Sequence, residues 1–406
     1  MVSWIKYFVS KLDMNYIYVG SSKSEEVNKY LADLGSVINY AGNTHQNALL
    51  AGFSAICNKF KVLSSWSIST YPRVKKIFFK RQVESIGNGK DNYIFIGVIN
   101  LPVLNMLYRC YKMRKEIKKA LDKNDDNAII VYEVHTPFLL AATTLRKRIK
   151  HINVIVPDLP EHMIAHQNVI RAIAKKIDQK LINWCLSKCD SYTILSEQMT
   201  ERLPMKDKKT IVVEGLFQNK NDFEEIEKDQ HKVIMYTGIL HKDKGIENLV
   251  KAFEQIKDPN YRLWIRGYGD YADEIVEKSK KDSRIVYLPP MSHHELFKLE
   301  QQATVMVNPT QPHLDFTRYF FPSKTMEYLA SGTPTVMYRL SCMPKDYDKY
   351  IYYTNGDSTD DLTNKLIEVC EKSQTELYEF GKTAQKFILN EKNPIVQCQK
   401  IINIIK

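Results

Sequence analysis

Apolar segments typical of buried strands alternate with segments of helical spacing along most of the chain. In the first half, the predicted strands are 15–20, 61–65, 93–98, 128–134, 152–156, 191–195 and 210–213. The alternation resumes at 232 and closes with helical segments over 375–406. Strands that alternate with helices in this order predict parallel sheets covered by helices on both faces.

The length of the chain and one polar segment predict two domains. A chain of 406 residues is longer than one ordinary hydrophobic core supports. Residues 218–231 are nearly all polar or charged and interrupt the alternation, which is typical of a linker. We therefore place the first domain at 1–217 and begin the second domain at 218.

The segment 320–336 is typical of a loop, a helix, a tight turn and a buried strand. Pro322 suits the first helical position, because the N–H that proline lacks would have no hydrogen-bond partner there. Gly332 suits a left-handed cap at the end of the helix. A helix that begins after a loop at a sheet edge presents unpaired N–H groups that can bind a diphosphate. Lys324 adds a cation, and Glu327 lies on the same helix face, where its carboxylate can accept hydrogen bonds from a ribose. An ordinary capped helix has the same pattern of Pro and Gly, but the helix start together with Lys324 and Glu327 predicts a nucleotide-sugar site.

Two segments earlier in the chain also have a buried strand followed by a glycine-containing loop. One apolar strand runs into Gly238 and a loop that carries Lys244, followed by an amphipathic helix. The next strand ends in Gly267 and Gly269. Because open α/β sheets bind ligands at the carboxyl ends of their strands, we expect the three loops to lie at one binding edge.

On these motifs, residues from about 232 to 340 resemble the donor domain of the retaining glycosyltransferases of family 4, which have the GT-B fold. The resemblance implies an α/β protein with two Rossmann-like parallel-sheet domains that face each other across a cleft. The first domain, 1–217, would bind the acceptor, and the second, 218–387, would bind the nucleotide-sugar donor. A carboxyl-terminal helix at about 388–406 would return to the first domain.

The resemblance also implies roles for residues that match the motifs of the family. Lys244 and Lys324 would stabilise the departing diphosphate, and Glu327 would bind the ribose. The implied donor-binding set is Gly238, Lys244, Gly267, Gly269, Ser323, Lys324, Glu327 and Tyr319. Ile239 stands where the family has an arginine, and Tyr319 stands where it has a glutamate. A subgroup of bacterial polysaccharide enzymes shows similar replacements, and this chain resembles that subgroup.

Polar residues after two strands of the first half are expected at the ligand edge of the first sheet. A lone histidine is more often structural, but the resemblance implies that His135 lies near the reacting sugar. Asp158 is predicted to orient or deprotonate the acceptor hydroxyl, with Glu161 and His162 as alternatives. Lys244 completes the predicted catalytic set of His135, Asp158 and Lys244. The predicted acceptor-binding set is Gly20, Asn43 and Glu161.

The implied reaction is transfer of a glycosyl unit from a nucleoside-diphosphate sugar, with UDP or GDP as the nucleotide and with retention at the anomeric carbon. Such an enzyme acts by positioning its substrates and stabilising the leaving diphosphate. No Asp-x-Asp motif follows a suitable strand, so we expect neither a metal ion nor a cofactor. The expected acceptor is a glycan or a polyprenyl-diphosphate-linked sugar in bacterial cell-surface polysaccharide synthesis, such as that of a capsule or exopolysaccharide.

The positive charge of the chain is concentrated in its first half. Residues 1–217 contain 32 Lys and Arg against 19 Asp and Glu, whereas acidic residues slightly outnumber basic ones after 217. A basic patch with apolar neighbours can bind an anionic membrane surface, although a solvated basic face has the same composition. We expect a cytoplasmic protein peripheral to the inner face of the plasma membrane. We expect no nucleic acid, because no nucleic-acid-binding motif is present.

Two other functions fit the same motifs. A nucleotide-sugar 2-epimerase would act on the donor alone and need no acceptor. A non-catalytic GT-B-shaped partner subunit would fit the replacements at Ile239 and Tyr319, although the retained Lys244, Lys324 and Glu327 argue against it. A dehydrogenase is not expected, because no Gly-x-Gly-x-x-Gly follows the first strand.

Overall fold

A computed structural model describes residues 14–86, 91–159, 169–205, 207–219 and 226–406. The chain divides into two compact units, Met1–Leu216 together with Pro394–Lys406, and Phe217–Asn393. For comparison, the sequence places the domain boundary after 217 and the return of the chain at about 388.

The first unit is built on an eight-stranded sheet. Its strands in chain order are β1 (Asn15–Gly20), β2 (Lys59–Ser65), β3 (Phe78–Phe79), β4 (Gln82–Ile86), β5 (Asp91–Ile96), β6 (Val98–Ile99), β7 (Asn127–Tyr132), β8 (His151–Val156), β9 (Ser191–Ile194) and β10 (Lys209–Val212). The sheet order is β10-β9-β8-β7-β1-β2-β5-β4, parallel throughout except for β4, and β3 pairs separately with β6. Each predicted strand begins and ends within two residues of an observed one.

The second unit is built on a six-stranded parallel sheet. Its strands are β11 (Lys232–Ile239), β12 (Tyr261–Tyr268), β13 (Ile285–Tyr287), β14 (Val305–Asn308), β15 (Thr335–Met337) and β16 (Tyr352–Tyr353). They pair in the order β13-β12-β11-β14-β15-β16, so β11 lies beside both β12 and β14. The two strands that carry the glycine motifs and the strand before the Glu327 helix are therefore neighbours.

Helices cover both sheets. Those of the described residues are α1 (Glu25–Asp33), α2 (Tyr40–Ile56), α3 (Leu104–Ala120), α4 (Thr136–Thr143), α5 (Val169–Ser187), α6 (Ile246–Gln255), α7 (Ala272–Lys281), α8 (His293–Gln302), α9 (Ser323–Ser331), α10 (Thr359–Cys370), α11 (Gln374–Glu391) and α12 (Pro394–Ile405). Helix α2 begins at Tyr40, directly after Asn39. Asn39 Oδ1 accepts a hydrogen bond from Gly42 N at 2.9 Å and so caps the helix.

Helix α6 shows how the apolar spacing of the second half builds a core. Ile246, Leu249, Val250 and Phe253 recur at helical spacing, and all four are buried against the second sheet. Burying such side chains stabilises the fold by about 1.5–3 kcal/mol each. This packing fixes the position of α6. Because the loop after β11 leads directly into α6, the same packing fixes both ends of that loop.

The last helix of the chain belongs to the first unit. In α12, Ile401, Ile402 and Ile405 are buried, and Cys398 Sγ donates a weak hydrogen bond to Leu49 O of α2 at 3.3 Å. A Cβ at Gly52 would lie 2.4 Å from Pro394 O, so only glycine allows the two helices to approach this closely.

Two further observations concern helix hydropathy and the cysteines. No helix among the described residues is long and apolar enough to cross a membrane. All seven cysteines are free thiols, and six of them are buried.

Candidate functional site

Three loops meet at the carboxyl edge of the second sheet. Gly238 of β11 stands directly opposite Gly267 of β12, and a Cβ on Gly267 would lie 1.8 Å from Gly238 O. The loops that follow these strands are joined by a hydrogen bond of 2.9 Å between His241 Nδ1 and Asp270 Oδ1. The loop after β11 also contacts the loop after β14, because Gly245 packs against the carbonyl of Pro309. The expectation that these junctions share one edge is met.

Helix α9 begins at this edge without a side-chain cap. Ser323 is its first residue and is exposed, and Pro322 takes the cap position, one residue earlier than the sequence suggested. Thr325 N is bonded to Pro322 O, which leaves the N–H groups of Ser323 and Lys324 as the free ends of the helix dipole. Gly332 ends the helix with φ +79°, the left-handed conformation that its position predicts. Such a helix start can hold an anion.

Glu327 lies one turn into α9 and is enclosed by two basic groups. Lys324 Nζ donates to Glu327 Oε2 at 2.6 Å, and His293 Nε2 of α8 lies 3.2 Å from Glu327 Oε1. The second contact lies within ion-pair distance but lacks hydrogen-bond geometry, so buried Oε1 has no hydrogen-bond partner. Burial alone would raise the pKa of Glu327, but Lys324 and His293 outweigh it and lower the pKa below its ordinary value. Glu327 is therefore an ionised carboxylate whose Oε1 accepts no hydrogen bond within the protein.

A second carboxyl group lies beneath Glu327 and was not predicted from the sequence. Glu300 of α8 is completely buried, and its Oε1 accepts a hydrogen bond from Thr237 Oγ1 of β11 at 2.9 Å. Glu300 Oε2 has no hydrogen-bond partner. Burial, followed by the charge of Glu327, raises the pKa of Glu300 well above its ordinary value, so it holds its proton at neutral pH. Tyr328 completes this layer by bonding the backbone of Thr237.

Lys244 and Tyr319 take different positions in the loops at this edge. Lys244 Nζ lies 4.5 Å from the ring centre of Phe316 and 5.7 Å from that of Phe320, both in the loop after β14. These rings hold the ammonium group by cation–π attraction. The Tyr319 side chain, in contrast, is almost fully buried, and the exposed side chains beside it are Asp315 and Arg318.

The first sheet has its own group of polar residues at the carboxyl ends of β1, β7 and β8. Gly20 ends β1, and Asn43 of α2 bonds the loop that follows through both halves of its amide, at 2.8 Å to Lys23 N and 2.9 Å to Lys23 O. Asn43 therefore holds this loop in place. Lys23 is buried, and burial lowers its pKa to about 8, with Glu133 opposing the shift and Arg109 adding to it.

Glu133 and His135 follow β7, which ends at Tyr132, earlier than predicted. Glu133 has φ +70°, an uncommon conformation that turns the chain away from the strand. Burial, then the charge of Asp158, raises the pKa of Glu133 to about 7. Burial, then Arg109, lowers the pKa of His135 to about 3, so the imidazole is neutral, and its Nδ1 has no hydrogen-bond partner.

Asp158, Glu161 and His162 are the remaining residues predicted for the acceptor side. Asp158 is exposed after β8, close enough to Glu133 for its charge to act there. Glu161 and His162 lie outside the described residues. Within the part of the chain that the structure describes, no three histidine, cysteine or acidic side chains are grouped so that they could hold a metal ion.

The structure thus brings together most of the predicted donor residues in the second unit. His293, Glu300, Thr237 and the two phenylalanines beside Lys244 were missed, because none stands in a recognisable spacing with the motif residues. In the first unit, it groups His135 and Asp158 with Glu133, Lys23 and Arg109.

Sequence comparison finds a family for the second half of the chain. Residues 231–372 match the family described as glycosyl transferases group 1. An uncharacterized glycosyltransferase of Methanocaldococcus jannaschii is 31% identical over 115 residues, which are 27% of this chain and 27% of that relative. The match thus spans about a quarter of the length of the curated relative. These findings support a glycosyltransferase.

Solved structures resemble the chain over nearly its whole length. Sucrose-phosphate synthase from Thermosynechococcus elongatus has a TM-score of 0.62 at 15% identity, covering 96% of this chain and 98% of that one. A variant of S. aureus TarM, in complex with UDP, fondaparinux and alpha-GlcNAc-glycerol, has a TM-score of 0.61 at 11% identity, covering 97% and 100%. Anabaena HepE in complex with UDP has a TM-score of 0.61 at 12% identity, covering 96% and 99%. These likenesses confirm the predicted α/β fold class with two Rossmann-like domains.

Proposed function

We propose that this protein is a retaining glycosyltransferase that moves a sugar from a nucleoside-diphosphate sugar to a glycan or lipid-linked acceptor in bacterial cell-surface polysaccharide synthesis. The observation that carries the proposal is the group of Glu327, Lys324 and His293 at the uncapped start of α9. An anion site and a carboxylate acceptor one helical turn apart have the spacing that a diphosphate joined to a ribose requires.

Each donor residue then has a chemical role. The diphosphate binds the N–H groups of Ser323 and Lys324 at the start of α9, and Lys324 Nζ adds a positive charge. Glu327 Oε1, which has no hydrogen-bond partner in the protein, accepts a hydrogen bond from a ribose hydroxyl. Gly267 lets β11 and β12 approach each other at this edge, because a Cβ there would lie 1.8 Å from Gly238 O.

Transfer breaks the bond between the anomeric carbon and the diphosphate and forms a bond to the acceptor oxygen. Lys244 and Lys324 stabilise the negative charge that develops on the leaving diphosphate. The acceptor hydroxyl loses its proton to a base of the first unit. Asp158 is the base that the sequence suggests, and Glu133 is a second choice, because a pKa of about 7 suits a group that both takes and releases a proton.

UDP is the nucleotide we favour. TarM and HepE were each solved in complex with UDP. Neither relative says which sugar this chain transfers.

We further propose that the reaction needs no metal ion, and addition of a chelator should then leave the rate of turnover unchanged. Loss of turnover that is restored by a divalent metal would refute this part of the proposal.

The first experiment is a thermal-shift screen of the purified protein against UDP, GDP, ADP and dTDP. A ligand that binds the folded state stabilises it by RT ln(1 + [L]/Kd), about 2.7 kcal/mol at a hundredfold excess over Kd, and so raises the melting temperature. We expect UDP to raise it and Glu327→Gln to abolish most of the increase, because the amide is uncharged and cannot be held by Lys324 as the carboxylate is.

Glu368→Gln is the matched control. Glu368 also pairs with a lysine three residues earlier, since Lys365 Nζ lies 2.5 Å from Glu368 Oε2. It stands near the end of α10. Glu371, which directly follows this helix, pairs with Lys232 at the start of β11, so Glu368 lies towards the opposite edge of the sheet. Glu368→Gln should keep the full UDP shift. If no nucleotide shifts the wild-type protein, the donor site is absent and a non-catalytic partner subunit becomes the better proposal.

A further inference from the structure

A pocket in the first unit contains charged and polar groups that the donor site does not use. It has a volume of about 440 Å³, which lies within the range of small-molecule sites. Its walls come from the loop after β2, the start of α3 and the start of α4. Thr70, Val103, Met106, Arg109, His135 and Pro137 are among the residues that line it, and we call it the Arg109 pocket.

Arg109 is the group in this pocket that needs a ligand. Arg109 lies on α3 and is only 9% exposed. Its Nη2 donates to Trp66 O at 3.1 Å, and its Nε is buried without a hydrogen-bond partner. Among the described residues, no carboxylate forms an ion pair with it. A buried charge without a counter-charge is costly, so this guanidinium is poised for an anion.

The groups around Arg109 also favour an anion. His135 Nδ1 is a second buried polar atom without a partner, on a ring that the pocket exposes. Helix α4 begins at Thr136 with no side-chain cap from His135, so the positive end of its dipole lies beside the pocket. Asp158 raises the pKa of Glu133 and Glu133 opposes the lowering of the pKa of Lys23, whereas burial alone shifts the pKa of Arg109.

The rim of the pocket is apolar. Val103 is 74% exposed and Met106 is 46% exposed, and the neighbouring Leu104 and Leu107 are also exposed. Val103 has φ +64°, a conformation that a β-branched residue rarely adopts, and it turns these side chains outward at the start of α3. An anion site below an apolar rim suits a phosphate group attached to a hydrocarbon chain.

We propose that the Arg109 pocket binds a phosphate or diphosphate group of the acceptor. This deepens the proposed function, on which it rests, by naming the chemical class of the acceptor. Arg109 donates from Nε and His135 donates from Nδ1 to the phosphate oxygens, and the apolar rim contacts whatever the phosphate carries. A charge-assisted hydrogen bond of this kind is shorter and stronger than one between neutral groups.

The test measures binding by calorimetry with inorganic pyrophosphate, geranyl diphosphate and, as an uncharged control, geraniol. We expect both diphosphates to bind and Arg109→Gln to weaken them by roughly tenfold or more. Arg114→Gln removes the same charge from an exposed position of the same helix and should leave binding unchanged. Lys324→Gln shows whether the probes occupy the donor site instead.

The outcomes separate the two sources of the phosphate. Tighter binding of geranyl diphosphate than of pyrophosphate identifies a lipid-linked acceptor, and equal binding identifies a phosphorylated sugar. Equal weakening by Arg109→Gln and Arg114→Gln, or loss of binding in Lys324→Gln alone, would overturn the proposal.

A second variant guards against misfolding of Arg109→Gln. Met106→Glu places a carboxylate at an exposed position of the pocket rim and should weaken both diphosphates by repulsion. The UDP-induced thermal shift is measured on every variant. If the wild-type protein shows that shift but binds neither diphosphate, the Arg109 proposal fails and the proposed function stands. If the shift is absent from the wild type, the proposed function fails first.

Discussion

Two carboxyl groups of the second unit lie close together and have opposite protonation states. Glu327 is held ionised by Lys324 and His293, whereas Glu300 is buried with one hydrogen bond from Thr237 and keeps its proton. The negative charge of Glu327 raises the pKa of Glu300 further. One site therefore carries a single negative charge, which Lys324 can neutralise.

The protonated state of Glu300 makes the stability of the protein depend on pH. The unfolded carboxyl loses its proton near pH 4.5, whereas the folded one keeps it to a higher pH. Above about pH 4.5 the folded state therefore binds more protons, and the free energy of unfolding falls as the pH rises. Glu327 acts in a separate window, since its lowered pKa removes stability only as the pH drops below about 4.5.

Glu300→Gln should remove this loss of stability. Glutamine keeps an acceptor for Thr237 and resembles the protonated acid, so we expect little change in melting temperature near pH 5. Towards pH 8 the variant should melt at a higher temperature than the wild type. Melting curves at several pH values check this, with Glu368→Gln as an exposed control whose difference from the wild type stays flat. A constant difference for Glu300→Gln would mean that Glu300 is ionised in the folded protein.

At the scale of elements, the donor site depends on loops that touch one another. Gly245, with φ +77°, begins α6, and a Cβ there would lie 1.9 Å from Pro309 O in the loop after β14. Gly332, with φ +79°, ends α9, but a Cβ there would meet only the end of the Gln385 side chain, at 3.2 Å. The two glycines share a backbone conformation and differ in the space around them.

Replacing these glycines separates backbone strain from crowding. Gly332→Ala should lower stability by about 1–2 kcal/mol, the cost of a left-handed alanine. Gly245→Ala carries the same strain and must also push the loop after β14 away, so we expect a larger loss of stability and a much smaller UDP shift. Thermal melts with and without UDP measure both effects. Equal losses of stability in the two variants, with the UDP shift intact in both, would contradict the inferred contact between the loops.

At the scale of the whole molecule, several basic residues of the first half are paired with acidic side chains or buried. Within the described residues, Glu116 pairs with both Arg81 and Lys119, Asp190 pairs with Arg146, and Asp126 pairs with Lys150. Arg109 is buried. Among the described residues, Arg114, Lys115 and Lys118 are exposed basic residues of α3 that form no ion pair. They follow the exposed apolar turn at the start of the same helix.

Reversal of these three residues tests the proposed membrane location. A basic residue near an anionic bilayer contributes about 1 kcal/mol, so loss of three such residues weakens binding by roughly a hundredfold. Changing Arg114, Lys115 and Lys118 to Glu adds repulsion and should weaken binding to phosphatidylserine vesicles by more than that. Changing Lys278, Lys280 and Lys281 of α7 to Glu alters the net charge equally and should have a small effect. Sedimentation with vesicles measures both. Similar loss in the two variants would show that net charge, rather than α3, controls binding.

The sequence by itself determined those features that depend on neighbours along the chain. Strand and helix alternation predicted both sheets, because apolar spacing directly reflects which face of an element is buried. Lys324 and Glu327 were recognisable because residues three apart share a helix face, and Gly332 because a helix end needs a left-handed residue. These are local rules that operate before any tertiary contact forms.

Only the tertiary structure decided which distant groups meet and which charges are buried. His293 reaches Glu327 from a different helix, and Glu300 of α8 reaches Thr237 of β11. Arg109 lies inside the protein although Leu107 and Tyr111 of the same helix are exposed. A side chain's partner and its exposure depend on how the elements pack, and no spacing along the chain encodes that packing. The protonation state of Glu300 and the unpaired guanidinium of Arg109 both follow from burial, which is a property of the folded chain as a whole.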